Sequence, residues 1–354
     1  MNRFGLPIHL FVEEGAYHRI PETAEDILAD IANHRSLVLT QDKAADKFSG
    51  VIDTITEAFP LAEVQHAERT IYKDAISLAE YITGGDIRMV FAFGDTDLLN
   101  LAKYAGYISQ VPVLFVVMTL DSDSVASPVA VLRAEEDGPR KSYNCAVPAA
   151  VLVDLDIVSQ ADEIDLQCGA AEVISKLSAL YDWHLAESRG HDRVDDFACM
   201  LVETAVSSLA GALGEEGLKG RQTLAGLAKA LVLCGLSVQI AGSHAPGAGS
   251  EHTFAYALEN HYASQVRIPR GIAAAMGAYA SAVFQDRSVE DFCQMIKASG
   301  IQIKPSAWKV DKELFAGTWL KAAPTRPDRY TVLYETHLNE ARLHEIYDEM
   351  ELVL

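Results

Sequence analysis

Positive charge is what this sequence has least of. Its 29 lysines and arginines stand against 50 aspartates and glutamates, a formal net charge of −21 over 354 residues. Nonspecific binding to nucleic acid or to an anionic membrane needs a basic surface, so both are excluded as expected partners. Cysteine pairing is also missing. The five cysteines, Cys145, Cys168, Cys199, Cys234 and Cys293, are scattered, with no CxxC spacing. That pattern fits reduced thiols of a cytoplasmic protein and excludes a cysteine-built zinc or iron–sulfur site. No uninterrupted apolar run is read as long enough to cross a bilayer. The opening MNRFGLPIHLFVEEGAY has too short an apolar stretch for a signal peptide before its acids begin. Internal repeats and low-complexity stretches are lacking as well.

What the sequence does have is 49% hydrophobic residues, enough for ordinary globular cores, in a chain too long for one of them. Over the first 155 or so residues, short apolar runs (IHLFVE at 8–13, SLVLTQD at 36–42, RMVFAFG at 88–94, VPVLFVVM at 111–118) alternate with segments of helical spacing such as ETAEDILADIANH and DAISLAEYITGG. PVAVLRA and AVLVDLDIV are candidate later strands. Such alternation predicts an α/β domain, a Rossmann-like parallel sheet covered by helices on both faces, over residues 1–160. After about residue 160 strand signals nearly vanish. From CGAAEVISKLSALYDWHLAE onward the spacing is helical, predicting an all-α domain over 161–354. A cleft between two such halves is the expected ligand site.

Three stretches carry candidate chemistry. FAFGDTDLLNLAK (91–103) reads as strand, glycine turn and helix, where backbone N–H groups and the helix dipole hold phosphates. The turn here is Gly94-Asp95-Thr96-Asp97. A carboxylate ~4 Å from a phosphate charge costs about 4 kcal/mol at an effective dielectric near 20. Taken alone, the stretch reads more readily as one in which Asp95 or Asp97 simply caps the helix. TLDSDSVASP (119–128) follows an apolar strand, so Asp121, Ser122, Asp123 and Ser127 are placed to bond a polyol or ribose, or simply to close their own turn. In the helical half, Glu172 and His252 are of types that ligate a metal. His261 is a poor third partner, because nine residues along the helix put it on the opposite face from His252. By spacing alone the structural reading is the better one for each of these.

With these residues in view, the chain resembles the glycerol-1-phosphate dehydrogenase branch of the iron-containing alcohol dehydrogenase and dehydroquinate synthase-like superfamily, over essentially its whole length. GDTDLLNLAK is similar to the family's GGG-S-x-x-D-x-x-K region, with Lys103 kept. DSDSVASP resembles SHDGxASP, and PGAGSEHTFAYALE resembles the GSEH segment. CGAAEVISKLSALYDWHLA resembles the segment of the first metal ligand, and TRPDRYTVL (325–333) the RxRYTIL ending. The resemblance implies a dehydroquinate synthase-like fold, NAD(P) and a zinc-like ion as cofactors, and hydride exchange at a polyol or polyol phosphate. Carried across, the cofactor positions are Asp42, Gly94, Asp95, Thr96, Asp97, Lys103 and Ser127. The metal positions are Glu172 and His252, with Arg270 where the family has its second histidine, and the catalytic candidates are Asp123, His252 and Arg270. A guanidinium only donates and cannot ligate a cation. One reading of that substitution puts Arg270 in the metal's place with Glu172 as its ionic partner. Two functions follow as expectations. One is an oxidoreductase of the family's kind, altered at its loop and metal positions. The other is a non-dehydrogenase that binds a small polar or phosphorylated ligand, with a homo-oligomer as an option.

Overall fold

The apolar runs of the first half become the centre of a sheet. In the computed structural model, which describes residues 5–136, 138–214 and 216–354, the unit Met1–Asp162 carries β1 (His9–Glu13), β2 (Ser36–Thr40), β3 (Ala62–His66), β4 (Met89–Gly94), β5 (Val113–Val117), β6 (Val129–Arg133), β7 (Arg140–Asn144) and β8 (Ala150–Asp154). Its helices are α1 (Ile20–Ile27), α2 (Asp42–Lys47), α3 (Ser49–Ala58), α4 (Tyr72–Gly84), α5 (Thr96–Ser109) and the single turn α6 (Leu155–Val158). Six strands form one sheet in the order β1-β8-β5-β4-β2-β3, every neighbouring pair parallel. β2, β4, β5 and β8 are buried at every residue, as strands covered on both faces must be. On one face Val38, Phe91, Phe93, Leu114 and Leu152 pack against Ile20, Val51, Ile55 and Phe59 of the α1–α3 side. The alternate residues, among them Val90, Phe115 and Val151, are buried on the other face.

Three details depart from the sequence reading. β3, whose AEVQH is polar and only half buried, occupies a sheet edge that periodicity does not flag. The helix expected over ETAEDILADIANH stops at Ile27, because Leu28 is extended and Asp30 takes φ 61°. PVAVLRA does form a strand, but β6 pairs antiparallel with β7 in a separate two-stranded sheet.

Among the described residues the unit Glu163–Leu354 has no β-strand. It contains α7 (Glu163–Ser188), α8 (Asp196–Ala212), α9 (Arg221–Ala241), α10 (Ser250–Tyr262), α11 (Arg270–Phe284), α12 (Glu290–Ala298), α13 (Lys312–Leu320) and α14 (Glu340–Val353). α7 is 26 residues long and buries sixteen of them, including Glu172, Lys176 and Asp182. α10 and α11 each bury nine or more residues and pack on one another, and α11 packs on α7. By length and composition α9 is apolar enough to cross a membrane, which a search for an uninterrupted run misses because Arg221 and Lys229 punctuate it. Its Leu224, Leu227 and Leu231 are fully buried in the helical unit, and the helix packs along α8.

Candidate functional site

The glycine turn after β4 is closed by the chain itself. Asp95 is the N-cap of α5, and its Oδ1 accepts from Leu98 N at 3.0 Å. Gln41, at the end of β2, donates from Nε2 to Asp95 Oδ2 (3.1 Å) and accepts from Asp95 N (3.3 Å). Thr96 Oγ1 donates to Asp121 Oδ1, and Asp97 pairs with Arg140 at 3.3 Å. The space that a bare glycine leaves for a ligand is also filled. A Cβ at Gly94 would lie 2.5 Å from Leu98 Cδ2 and 2.9 Å from Gln41 Oε1.

The neighbouring polar positions are likewise engaged within the first unit. Lys103 is 2% exposed, and its Nζ donates to Ser124 O (2.6 Å) and Ser127 O (3.1 Å). It thereby pins the 119–128 loop, and burial pushes its ammonium pKa down. Ser127 Oγ donates to Val129 O at 3.3 Å, and Asp123 opens the turn Asp123–Val125. Asp42 begins α2, with Oδ1 2.5 Å from His66 Nδ1. The structure thus brings together Gly94–Asp97 with Gln41 and Asp121, and Lys103 with Ser127 and with Ser124, which the sequence reading does not single out.

In the helical unit Glu172 and His252 converge from α7 and α10. His252 Nε2 is 3.1 Å from Glu172 Oε1 and its Nδ1 is 2.9 Å from Glu251 Oε1, all three residues being buried. Lys176, one turn after Glu172 on α7, donates to the same Glu172 Oε1 and, at 2.7 Å, to Gly247 O. Burial opposes the Glu172 charge, yet Lys176, His252 and Arg270 hold its carboxyl well below the ordinary range. Burial also works against a charged His252, and Glu172 and Glu251 outweigh it, so its pKa is raised.

Arg270, the first residue of α11, donates from Nη2 to Tyr256 Oη at 2.5 Å, with its guanidinium carbon 4.8 Å from that ring's centroid. Arg326 lies over the same ring at 5.4 Å. Burial alone would push the Tyr256 phenol up. Arg270, then Arg329, His252 and Arg326, bring it down to about 7. Lys176 is thus a cation in direct contact with Glu172, and Arg270 adds to the field that holds that carboxyl down. Lys176 and Tyr256 were both missed, although each stands four residues from a candidate, Glu172 and His252, on the same helical face.

The sequence model described as iron-containing alcohol dehydrogenase matches residues 13–162. Glycerol-1-phosphate dehydrogenase [NAD(P)+] of Thermoplasma acidophilum is 30% identical over 251 residues, 71% of this chain and 70% of that protein. The enzyme of the same name from Thermoplasma volcanium is 24% identical over 324 residues, 91% of each chain. Among solved structures, glycerol dehydrogenase from Schizosaccharomyces pombe superposes with a TM-score of 0.79 at 14% identity, covering 100% of this chain and 91% of that one. Sulfoacetaldehyde reductase from Bifidobacterium kashiwanohense, in complex with NAD+, gives 0.74 at 13%, covering 99% of each. The structural likenesses establish the fold and the sequence relatives establish the lineage: the chain belongs to the glycerol-1-phosphate dehydrogenase branch of the iron-containing alcohol dehydrogenase family.

Proposed function

We propose that this chain is a catalytically divergent member of its family, one that holds a small polar or phosphorylated ligand without metal-assisted hydride transfer. The observation that carries this reading is Arg270, a guanidinium at the family's second histidine position, bonded to Tyr256 and close enough to help hold the Glu172 carboxyl down. The donor set does not fit a divalent cation. Of the three positions one is permanently cationic, and Oε1 of the one carboxylate already accepts from Lys176 and lies 3.1 Å from His252 Nε2. A second positive charge brought there would be repelled rather than bound.

The turn after β4 does not fit a pyrophosphate either. The amide of Leu98 at the start of α5 is taken by Asp95, the space above Gly94 is filled by Leu98 and Gln41, and two carboxylates stand at the mouth. In the helical unit, what this chain's own residues offer a ligand is donors: Arg270, Arg326 and Arg329 around one phenol.

The test is calorimetric titration of the purified protein with NADPH and NADH, with and without zinc. No heat at millimolar cofactor is expected, whereas micromolar binding would overturn the reading. A second arm is the Glu172→Asp/Arg270→His double variant, which should gain zinc that the wild type does not take up. Its failure to do so would count against the assigned geometry. The family's own reaction, NAD(P)-linked oxidation–reduction of a polyol or polyol phosphate, is the second reading. The hydrogen-bonded Tyr256–Arg270 pair favours it, because a guanidinium donor beside a phenol of lowered pKa can polarise a carbonyl oxygen and hand it a proton without a metal.

A further inference from the structure

Beside the edge strand β3 the first unit contains a cavity of about 310 Å³, bounded by β2, the end of β3, residues 67–69, α4 and α5. That volume lies at the lower end of the ~300–1,000 Å³ range of ligand pockets, so its occupant is small. It opens where the sheet gives way to polar residues. Leu39 of β2 has Gln65 of β3 as its neighbour in register, and α4 packs chiefly along α5. The floor is apolar, made by Leu39, Leu78 and Leu101. Tyr81 stands beside it, 39% exposed, with its Oη donating to Glu63 Oε2 at 2.7 Å.

The charges on the wall do not cancel. Arg69 is its one guanidinium, and Nη2 donates to Asp74 Oδ1 at 3.0 Å. Asp74 Oδ2 is buried with no donor, so that carboxylate is answered by Arg69 alone. Glu63, behind Tyr81, pairs with Arg35 at 2.9 Å. His66 faces Asp42 at 2.5 Å, a pair whose sum is zero or negative and never positive. Glu68 is left over. It is exposed on the wall and has no hydrogen-bond or ion-pair partner among the described residues. Two carboxylates thus line the cavity against one guanidinium.

We propose that this cavity binds a small organic monocation, its ammonium group held by Glu68 and its short apolar body against the three leucines and Tyr81. Charge sets the sign and the valence, because one unanswered carboxylate matches one positive charge. The floor sets the body, because it stabilises only a hydrocarbon group, and an aromatic ring beside the ammonium adds a cation–π attraction. The net charge of −21 draws cations towards the whole surface, but only a ligand with both parts uses this cavity. It shares no lining residue with the turn after β4 or with the Glu172–Tyr256 cluster, and does not depend on how those are read.

Calorimetric titration of the full chain with benzylamine, benzyl alcohol, methylamine and adenosine tests it. Benzylamine should bind with a Kd of ~1 mM or tighter. Benzyl alcohol, the same body without the charge, and methylamine, the charge without the body, should each bind at least about tenfold more weakly. Adenosine, neutral and polar, should bind no better than benzyl alcohol. Glu68→Gln should weaken benzylamine about fivefold, the weight of a charge pair ~4 Å apart in water. Arg69→Gln removes the guanidinium that opposes the ligand and frees Asp74, so it should tighten benzylamine by about as much, which a merely damaged cavity would not do. Ser77→Phe, at an exposed position of α4 on the wall, should fill the cavity and abolish binding at an unchanged melting temperature. Absence of benzylamine binding, equal binding of benzyl alcohol or methylamine, or stronger binding of adenosine would overturn the proposal. So would benzylamine binding that Glu68→Gln or Ser77→Phe leaves untouched, or that Arg69→Gln fails to strengthen. None of these outcomes bears on NADPH or zinc, so this proposal and the preceding one fail separately.

Discussion

Tyr256 is expected to ionise near neutral pH, and the surrounding charges set the size of the effect. Its pKa falls from an ordinary 10.0 to about 7, three units, or about 4 kcal/mol of preference for the phenolate at ~1.36 kcal/mol per unit. A unit charge pair at ~4 Å is worth about 4 kcal/mol at an effective dielectric near 20. Arg270, in direct contact, therefore supplies the right order, with Arg329, His252 and Arg326 offsetting the penalty of burial. The sign follows from linkage. The folded-state pKa is depressed, so the stabilisation is complete above the unfolded value of 10 and is lost as pH falls through 7. Ultraviolet titration of the phenolate band measures this directly. The wild type should show one of its 13 tyrosines titrating near 7. Tyr256→Phe should remove that step, and Arg270→Gln should raise it by more than a unit. The stability advantage of wild type over Tyr256→Phe should grow as pH rises from 7 towards 10. A wild-type curve without an early step, or an early step that survives in Tyr256→Phe, would refute the charge arrangement.

Asp95→Ala removes the carboxylate that caps α5 and should lower stability by about 1 kcal/mol, within the ~0.5–2 kcal/mol span of lost N-caps, as read from chemical denaturation. Gly271→Ala should be far harsher for its size. The added Cβ would stand 2.2 Å from Cys168 O on the backbone of α7, which cannot rotate away. A loss of ~1–3 kcal/mol or more is expected, as for other overpacked cores, and a neutral result would mean that α11 does not approach α7 this closely.

How much of this was legible beforehand depended on how local the signal was. Runs such as VLFVV and MVFAFG announce themselves, because a strand buried on both faces has no polar alternation to confuse it with a helix. β3 had no such mark: Glu63, Gln65 and His66 are polar because an edge strand touches solvent. Asp30 broke a well-spaced helical pattern through a left-handed backbone angle that the spacing does not encode. In the site, Glu172 and His252 were found through resemblance, while Lys176 needed only the observation that it stands one turn from Glu172. The Tyr256–Arg270 bond joins two helices across fourteen residues, and the Arg326 and Arg329 contacts come from the far end of the chain. Only the packed fold brings those together.

The Asp95 cap has a consequence for how this protein meets its ligands. A helix start left bare gains order and stability from whatever anion settles on it, so occupancy and folding of that segment become one equilibrium. Here the segment carries its own anion in cis, at an effective concentration no dissolved ligand matches. The loop after β4 is finished before any ligand arrives, so its rigidity and melting behaviour should be indifferent to what the surroundings contain.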